Sequence, residues 1–317
     1  MQTRQLGHSG LEVSVVGLGC NNFGGMIKSL DTDGARAVVD AAIDAGITLF
    51  DTSDSYGVDG GSETTLGQVL GKRRKDIVLA TKFASPMNRD KSTRYDGSRG
   101  YIMSAVENSL RRLNTDYIDL YQYHFPDPKT PIEETMRALD DLVRQGKVRY
   151  LGCSNLAPWQ MVDANWTARH FGLDRLLSTQ AEYSLLARDA KADLFPAIKA
   201  AGMTLLPYFP LASGLLTGKY RKGQPLPDDT RMALPYFQAG LTEDRLDVVE
   251  QLITFCETRG HTLLELAFSW LLAEPIVSSV IAGATRPEQV TANAAASGWM
   301  LSHDDLAELD NILQPVA

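Results

Sequence analysis

The chain has 317 residues, of which 44% are hydrophobic and 22% charged, and it carries a net charge of −8 at neutral pH. This length allows two ordinary domains or one large α/β barrel, and the composition is that of a globular enzyme-sized protein. The negative charge argues against a nucleic-acid or anionic-membrane partner, because both bind basic surfaces.

Strand-like and helix-like segments alternate along the chain. It opens with a predicted hairpin, TRQL and LEVS around the turn GHSG. Apolar and β-branched runs then predict eight strands, at 13–19, 47–51, 77–82, 117–124, 148–155, 176–183, 203–210 and 276–284. Apolar residues at helical spacing predict the helices, at about 31–45, 62–70, 101–113, 131–146, 158–171, 193–202, 243–260 and 262–275, with two more after the last strand. The stretch 211–242, rich in Gly, Pro and charge, is predicted to be a surface loop.

Eight strand-then-helix units without a linker predict one α/β domain over residues 1–317, a (β/α)8 TIM barrel with an N-terminal β-hairpin and extra C-terminal helices. A doubly wound open sheet is the alternative, and it usually carries a phosphate-binding fingerprint after its first strand. Asn22 stands where the third glycine of GxGxxG would be, so the barrel is favoured.

Cellular location is predicted from the N-terminus and the cysteines. The first ten residues lack the apolar core of a signal peptide, and no apolar run reaches the roughly 20 residues of a membrane span. Cys20, Cys153 and Cys256 are odd in number and lack CxxC spacing, which is typical of buried thiols in a reducing compartment. We therefore expect a cytoplasmic protein.

Polar residues stand at the ends of three successive predicted strands, Asp51, Lys82 and His124, and Tyr56 follows shortly after the first. Function in such a barrel lies at the carboxyl ends of the strands. Taken singly, Asp51 could be a turn or cap residue, Lys82 a solvated amine, and Tyr56 or His124 a packing residue. Their occurrence at one end of the barrel favours a joint catalytic role.

The chemistry of this set suits proton donation to an oxygen. Pairing with Asp51 makes a buried Lys82 tolerable, and an ammonium near Tyr56 is expected to lower its pKa from about 10. His124 can hydrogen-bond an oxygen placed at the Tyr56 hydroxyl. Carbonyl reduction needs such a donor and also a hydride, which no side chain supplies, so a cofactor is implied.

The sequence resembles the aldo-keto reductases. The similarity runs through GLGCNNFG, DTSDSYG with GSETTLGQVL, TKF, DYIDLYQYH, GKVRYLGCSN, QAEYSLL, YFPLASGLLTGKY and VIAGATRPEQV. The resemblance implies a barrel that uses a nicotinamide cofactor without a Rossmann fold. It also implies a catalytic tetrad of Asp51, Tyr56, Lys82 and His124, with Tyr56 as general acid in the reducing direction.

The resemblance further implies a cofactor site. Ser154, Asn155 and Gln180 match the residues that hold the nicotinamide carboxamide, and Tyr208 matches the aromatic that stacks on its ring. The other implied contacts are Gly19, Phe209, Pro210, Leu211, Ser213, Lys219, Arg231, Gly283, Thr285, Arg286, Gln289 and Asn293.

Arg286, followed by Pro287 at a helix start, suits a 2′-phosphate, so NADP(H) is expected in preference to NAD(H). The chain departs from the family pattern at Ala292, where many relatives have Glu, and at Phe209, where they often have Ser.

Phe23, Phe83 and Phe125 lie just beyond strand ends and are predicted either to line a substrate pocket or to pack against loops. Aromatic walls would favour an apolar or ring-bearing carbonyl, but the sequence leaves the substrate, the reaction direction and the oligomeric state open. Asp54 has no matching family role and is predicted to be a turn residue.

The sequence allows two other functions. One is a nicotinamide-nucleotide-sensing regulatory subunit with little turnover, like the potassium-channel β subunits that resemble this family. The other is a metal-dependent barrel hydrolase, which the strand ends disfavour because they lack a cluster of metal ligands.

Overall fold

The computed structural model describes residues 1–25, 29–85, 95–227, 230, 232, 235–238 and 240–314. The strands are β1 (Thr3–Gln5), β2 (Glu12–Ser14), β3 (Val16–Gly19), β4 (Leu49–Asp51), β5 (Val78–Phe83), β6 (Ile118–Tyr123), β7 (Val148–Ser154), β8 (Leu176–Glu182), β9 (Thr204–Tyr208) and β10 (Val280–Gly283). The helices are α1 (Thr32–Asp44), α2 (Gly61–Leu70), α3 (Arg99–Leu113), α4 (Ile132–Arg144), α5 (Pro158–Phe171), α6 (Ala190–Ala201), α7 (Pro235–Gln238), α8 (Glu243–Glu257), α9 (Leu263–Ala273), α10 (Pro287–Ala295) and α11 (His303–Ile312).

Eight parallel strands form a nearly closed barrel. Their order is β10-β3-β4-β5-β6-β7-β8-β9, and helices lie between successive strands. The two outer strands approach each other where the Leu205 backbone N–H donates to the Ile276 carbonyl at 2.7 Å and the Ser278 N–H donates back to Leu205 at 3.1 Å. The antiparallel pair β1–β2 precedes the barrel. The predicted (β/α)8 barrel with an N-terminal hairpin is confirmed.

The hairpin packs on an apolar layer inside the barrel. Leu6 and Val13 from the hairpin are fully buried against side chains of five barrel strands, Leu49, Ala80, Leu120, Leu206 and Ile281. The strand predicted at 13–19 is therefore divided, because Val13 and Ser14 belong to β2 and the barrel strand begins at Val16. The hairpin thus fills one end of the barrel interior.

The segment after β9 differs from the predicted surface loop. It contains a 3₁₀ turn at Ala212–Thr217 and the short helix α7, and it has a hydrophobic cluster of its own. That cluster consists of Leu215, Tyr220, Met232 and Phe237. Scattered apolar residues among Gly, Pro and charged neighbours do not show helical or strand spacing, so the sequence pattern did not reveal them.

The three cysteines, Cys20, Cys153 and Cys256, are buried and free, as predicted. Among the described residues, no helix is both long and apolar enough to cross a bilayer.

Candidate active site

A polar layer lies one step beyond the apolar layer on the same barrel strands. Residues two apart in a strand point to the same face, so the residues two positions after the apolar layer also point inward. These inward residues near the carboxyl ends are Asp51, Lys82, Gln122 and Tyr208, and β8 adds Gln180. The alternation of the strands thus collects ionisable and amide side chains at one end of the barrel.

Asp51 and Lys82 form a buried ion pair. They are 3% and 0% exposed, and Lys82 Nζ donates to Asp51 Oδ2 at 2.6 Å. The same ammonium donates to the Thr52 carbonyl at 2.9 Å and to the Tyr56 hydroxyl at 3.3 Å. Burial lowers the pKa of Lys82, but Asp51 and Tyr56 raise it and the net direction is upward. The amine therefore remains charged while it contacts the tyrosine oxygen.

The Tyr56 hydroxyl stays protonated at neutral pH. Burial raises its pKa, and the nearby Lys82 ammonium, 4.7 Å from the ring centre, acts in the opposite direction without reversing it. The expectation that Lys82 brings the Tyr56 pKa below its usual value is therefore wrong in its net direction. A protonated phenol beside an ammonium is ready to donate a proton, because the charge it would acquire is already compensated.

His124 follows β6 and is neutral. Burial, and after it the Lys82 charge, lowers its pKa well below the usual range. The residue is 6% exposed, and its ring meets the Tyr56 ring edge-on at 5.8 Å between centroids and stacks on Phe125 at 4.6 Å. Its Nδ1 lies 3.2 Å from the hydroxyl oxygen of Ser53. The imidazole can therefore act as a hydrogen-bond partner beside the tyrosine without bringing a second positive charge.

Two glutamines complete the surroundings of Asp51. Gln122 Nε2 donates to Asp51 Oδ1 at 3.1 Å, and Gln180 Nε2 donates to the same oxygen at 2.6 Å. Gln180 also donates to Gln122 Oε1 at 3.0 Å. Gln122 is not among the residues predicted from the sequence, although it pairs in register with Lys82 and lies two residues before His124, which predicts the same inward face.

A second cluster of polar residues lies next to the one around Asp51. It consists of three residues that the sequence predicts to bind the nicotinamide. Asn155 Nδ2 donates to the His124 carbonyl at 3.1 Å and to Ser154 Oγ at 3.0 Å, and the Tyr208 hydroxyl donates to Asn155 Oδ1 at 3.0 Å. Asn155 has a positive φ of 57°, which turns the chain at the end of β7. The structure thus brings Ser154, Asn155 and Tyr208 together beside His124.

The turn after β9 has an unusual backbone. Phe209 and Ser213 have φ values of 50° and 59°, in the left-handed region that costs non-glycine residues of the order of 1 kcal/mol. Pro210 is buried, Leu211 is partly buried and Lys219 is exposed. A Cβ added to Gly214 would stand 3.6 Å from Lys219 Nζ, so the lysine amine lies over this turn.

The start of α10 carries the residues predicted for the adenosine end. Arg286 is exposed at the N-cap position and Pro287 is the first helical residue, so an exposed guanidinium lies at the positive end of the helix dipole. Thr285 N–H donates to Gln289 Oε1 at 2.8 Å. This donor set fits a phosphorylated nucleotide.

The remaining predicted cofactor residues lie near β3, β10 and α10, except for one that is outside the described residues. Gly19 pairs with Gly283 in the β3–β10 register, and a Cβ on Gly283 would stand 3.2 Å from Asn22 Nδ2, so a larger residue would fill this cleft. Asn293 is buried on α10. Arg231 lies outside the described residues.

The three phenylalanines separate into two groups. Phe23 and Phe83 have no exposed surface, and Phe83 stacks on Tyr121 and Tyr123, so both belong to the core and not to a substrate wall. Phe83 directly follows Lys82 in β5, and the strand alternation therefore points it outward toward the helices. Phe125 is partly exposed and stacks on His124, which leaves it as the only one of the three on the site.

Fold and site together are those of a barrel enzyme, with its polar groups at the carboxyl ends of the strands. A family model described as the aldo/keto reductase family matches residues 15–314. The chain is 36% identical over 319 residues to the aldo-keto reductase YhdN of Bacillus subtilis, covering 99% of this chain and 94% of that protein. It is 33% identical to the L-glyceraldehyde 3-phosphate reductase of Escherichia coli O157:H7, covering 98% and 92%. It is also 37% identical to a probable voltage-gated potassium channel subunit beta of Arabidopsis thaliana, covering 93% and 91%.

The chain belongs to the aldo/keto reductase family, as its sequence motifs indicated. This membership supports an oxidoreductase activity on small molecules and is consistent with a nicotinamide cofactor.

Proposed function

We propose that the protein transfers a hydride between NADP(H) and a small carbonyl or alcohol substrate, with Tyr56 as general acid in reduction and general base in oxidation. The observation that carries the proposal is the Tyr56 hydroxyl 3.3 Å from Lys82 Nζ, which itself lies 2.6 Å from Asp51 Oδ2. Residues 1–317 then act as one domain, in the cytoplasm.

The proton transfer follows from the surroundings of Tyr56. As negative charge develops on a carbonyl oxygen, Tyr56 donates its proton to that oxygen. Lys82 stabilises the resulting phenolate, and Asp51 holds the ammonium in place through the buried pair. His124, kept neutral, offers a hydrogen bond to the same oxygen. The bound nicotinamide would supply the hydride, which no side chain can.

The cofactor is proposed to lie along the carboxyl ends of the strands. Ser154, Asn155 and Gln180 would hold the carboxamide and Tyr208 would stack on the ring. Arg286 at the start of α10 would bind the 2′-phosphate, because a guanidinium pairs with phosphate in a bidentate geometry. That contact is the reason for proposing NADP(H) in preference to NAD(H).

The test is a panel of aldehydes, ketones and alcohols followed at the nicotinamide absorbance with each cofactor. Tyr56→Phe should lower kcat at least about 100-fold while the Kd for NADPH changes little, since general acid catalysis contributes about 10² to 10⁴. Tyr117→Phe is the matched control, because Tyr117 directly precedes β6 at the amino end of that strand and packs on Arg74 and Arg149. An unchanged kcat in Tyr56→Phe would reject the assignment of Tyr56.

A second candidate is a nicotinamide-sensing regulatory subunit with little turnover. It is favoured by the 37% identity to a protein whose name is that of a probable potassium channel subunit beta. Tight binding of NADPH without turnover on any member of the panel would support it. The Asp51–Lys82–Tyr56 arrangement favours the enzyme instead.

A further inference from the structure

Asp54 lies in a turn after β4, as the sequence predicted, but it is also deeply buried. It is 2% exposed, and its backbone N–H donates to the Lys82 carbonyl at 3.2 Å, which fixes the segment after β4 against β5. Its carboxyl group accepts from the Ser53 hydroxyl at 3.2 Å and from the Tyr101 hydroxyl at 3.4 Å. A carboxyl group buried this deeply, with a hydrogen-bonded serine that also contacts His124, indicates a role beyond the turn.

Ser53 connects Asp54 to His124. Ser53 is fully buried, and its hydroxyl oxygen lies 3.2 Å from Asp54 Oδ1 and 3.2 Å from His124 Nδ1. The same oxygen lies 3.0 Å from Ser55 Oγ and accepts from the Ser55 backbone N–H at 3.2 Å. The Ser53 hydroxyl has one proton, and when the Ser55 hydroxyl donates to it that proton goes either toward Asp54 or toward His124 but not toward both. The direction of that one proton is therefore coupled to which nitrogen of His124 is protonated.

We propose that Asp54 and Ser53 are positioning residues that set the tautomer of His124. With Asp54 protonated, its O–H donates to Ser53, Ser53 donates to Nδ1, and His124 carries its proton on Nε2. With Asp54 ionised, Ser53 donates to the carboxylate and accepts from Nδ1–H, so Nε2 presents a lone pair. On passing from the first state to the second, Nε2 releases one proton to solvent. One proton moves from Asp54 to Ser53 and another from Ser53 to Nδ1, and no other bond changes.

The surroundings of Asp54 place this change near neutral pH. The titratable groups that act on it are Glu63 on α2, Tyr101 and Arg112 on α3, and Tyr121 on β6, while β5 contributes the Lys82 backbone carbonyl. Burial, followed by the Glu63 charge, raises the Asp54 pKa to about 8, against Arg112, Ser53 and Tyr101, which lower it. Because His124 stays neutral, ionisation of Asp54 changes the tautomer of His124 and not the charge of His124.

The catalytic consequence rests on the proposed function. An Nε2–H can donate to a carbonyl oxygen beside Tyr56, whereas an Nε2 lone pair can accept from an alcohol hydroxyl. Carbonyl reduction is therefore favoured below the Asp54 pKa and alcohol oxidation above it, by the same chain of residues.

The test is ¹⁵N NMR of the histidine side chains in the protein without added nucleotide, from about pH 6 to about pH 9.5, where tautomers and charged forms have distinct nitrogen shifts. The His124 signals, assigned with His124→Gln, should pass from Nε2–H to Nδ1–H with a midpoint near the Asp54 pKa of about 8. Asp54→Asn and Ser53→Ala should each abolish this titration. Tyr101→Phe should move the midpoint upward, because the Tyr101 hydrogen bond lowers the Asp54 pKa.

A fixed His124 tautomer in the unaltered protein over this range, or a titration that survives in both Asp54→Asn and Ser53→Ala, would overturn the proposal. The measurement needs no turnover, so it separates the two ideas. A titrating His124 in a protein that reduces no carbonyl would reject the proposed function alone. A static His124 in an active reductase would reject the coupling alone.

Discussion

Replacing Lys82 by Met tests the buried ion pair directly. Methionine is close to lysine in length and apolar, so Lys82→Met removes the charge and three hydrogen bonds with little change in volume. The Asp51 carboxylate would keep its two glutamine donors but lose its cation while 3% exposed. Breaking a buried pair by removing one partner costs about 3 to 5 kcal/mol, because an uncompensated charge remains. We expect the free energy of unfolding to fall by that amount.

The assay is urea unfolding of Lys82→Met, Asp51→Asn and the double variant. Since the double variant has no unpaired buried charge, it should be more stable than Lys82→Met alone by about 2 kcal/mol or more. Lys147→Met is the control, because the Lys147–Glu107 pair is largely exposed and should be worth less than about 1 kcal/mol. A loss below 1 kcal/mol in Lys82→Met, or simple additivity in the double variant, would refute the reasoning.

Three further outcomes are expected. Arg286→Ala should raise the Kd for NADPH by about tenfold or more and change the Kd for NADH little, because one charge-assisted contact is worth about 1.5 to 3 kcal/mol. Isothermal titration measures both values, and an equal loss of affinity for the two nucleotides would contradict the 2′-phosphate contact. Gly24→Ala should cost about 2 kcal/mol or more in urea unfolding, because φ is 79° and the new Cβ would stand 2.1 Å from the Gly61 carbonyl carbon. Gly100→Ala meets no atom within 4 Å and is the control. Asp54 has its pKa raised to about 8 in the folded state, so it stabilises the protein at low pH, and that contribution is lost between about pH 4 and pH 8. In the unaltered protein this loss lowers the free energy of unfolding by up to about 1.4 kcal/mol per pH unit, and Asp54→Asn should remove that decline. Unfolding measured across this pH range checks the prediction, and an unchanged dependence of the free energy of unfolding on pH would contradict it.

The sequence predicted those parts of the structure that depend on local pattern. Strand–helix alternation predicts the barrel, and the polar residues at strand ends predict where Asp51, Lys82 and His124 converge. Strict use of the two-residue period would also have placed Gln122 inside and Phe83 outside.

The parts that were missed depend on contacts between distant segments. The net direction of the Tyr56 pKa depends on how completely neighbouring segments enclose it, which spacing does not show. The proposed role of Asp54 depends on Tyr101 from α3 and on His124, which follows β6, whereas an acid after a strand by itself indicates only a turn. The small core of the 211–242 segment likewise has no local period.

The hairpin that packs into the barrel has a consequence for engineering. Leu6 and Val13 close one end of the barrel with an apolar floor, and the residues proposed for chemistry lie above it, toward the carboxyl ends of the strands. Leu6 and Val13 belong to the hairpin and not to the strands that carry the polar residues, so substitutions at these two positions leave those strands unchanged. The trade-off between stability and activity that limits many enzymes should therefore be weak here, and the floor is the place from which this protein can be made more heat-resistant at constant turnover.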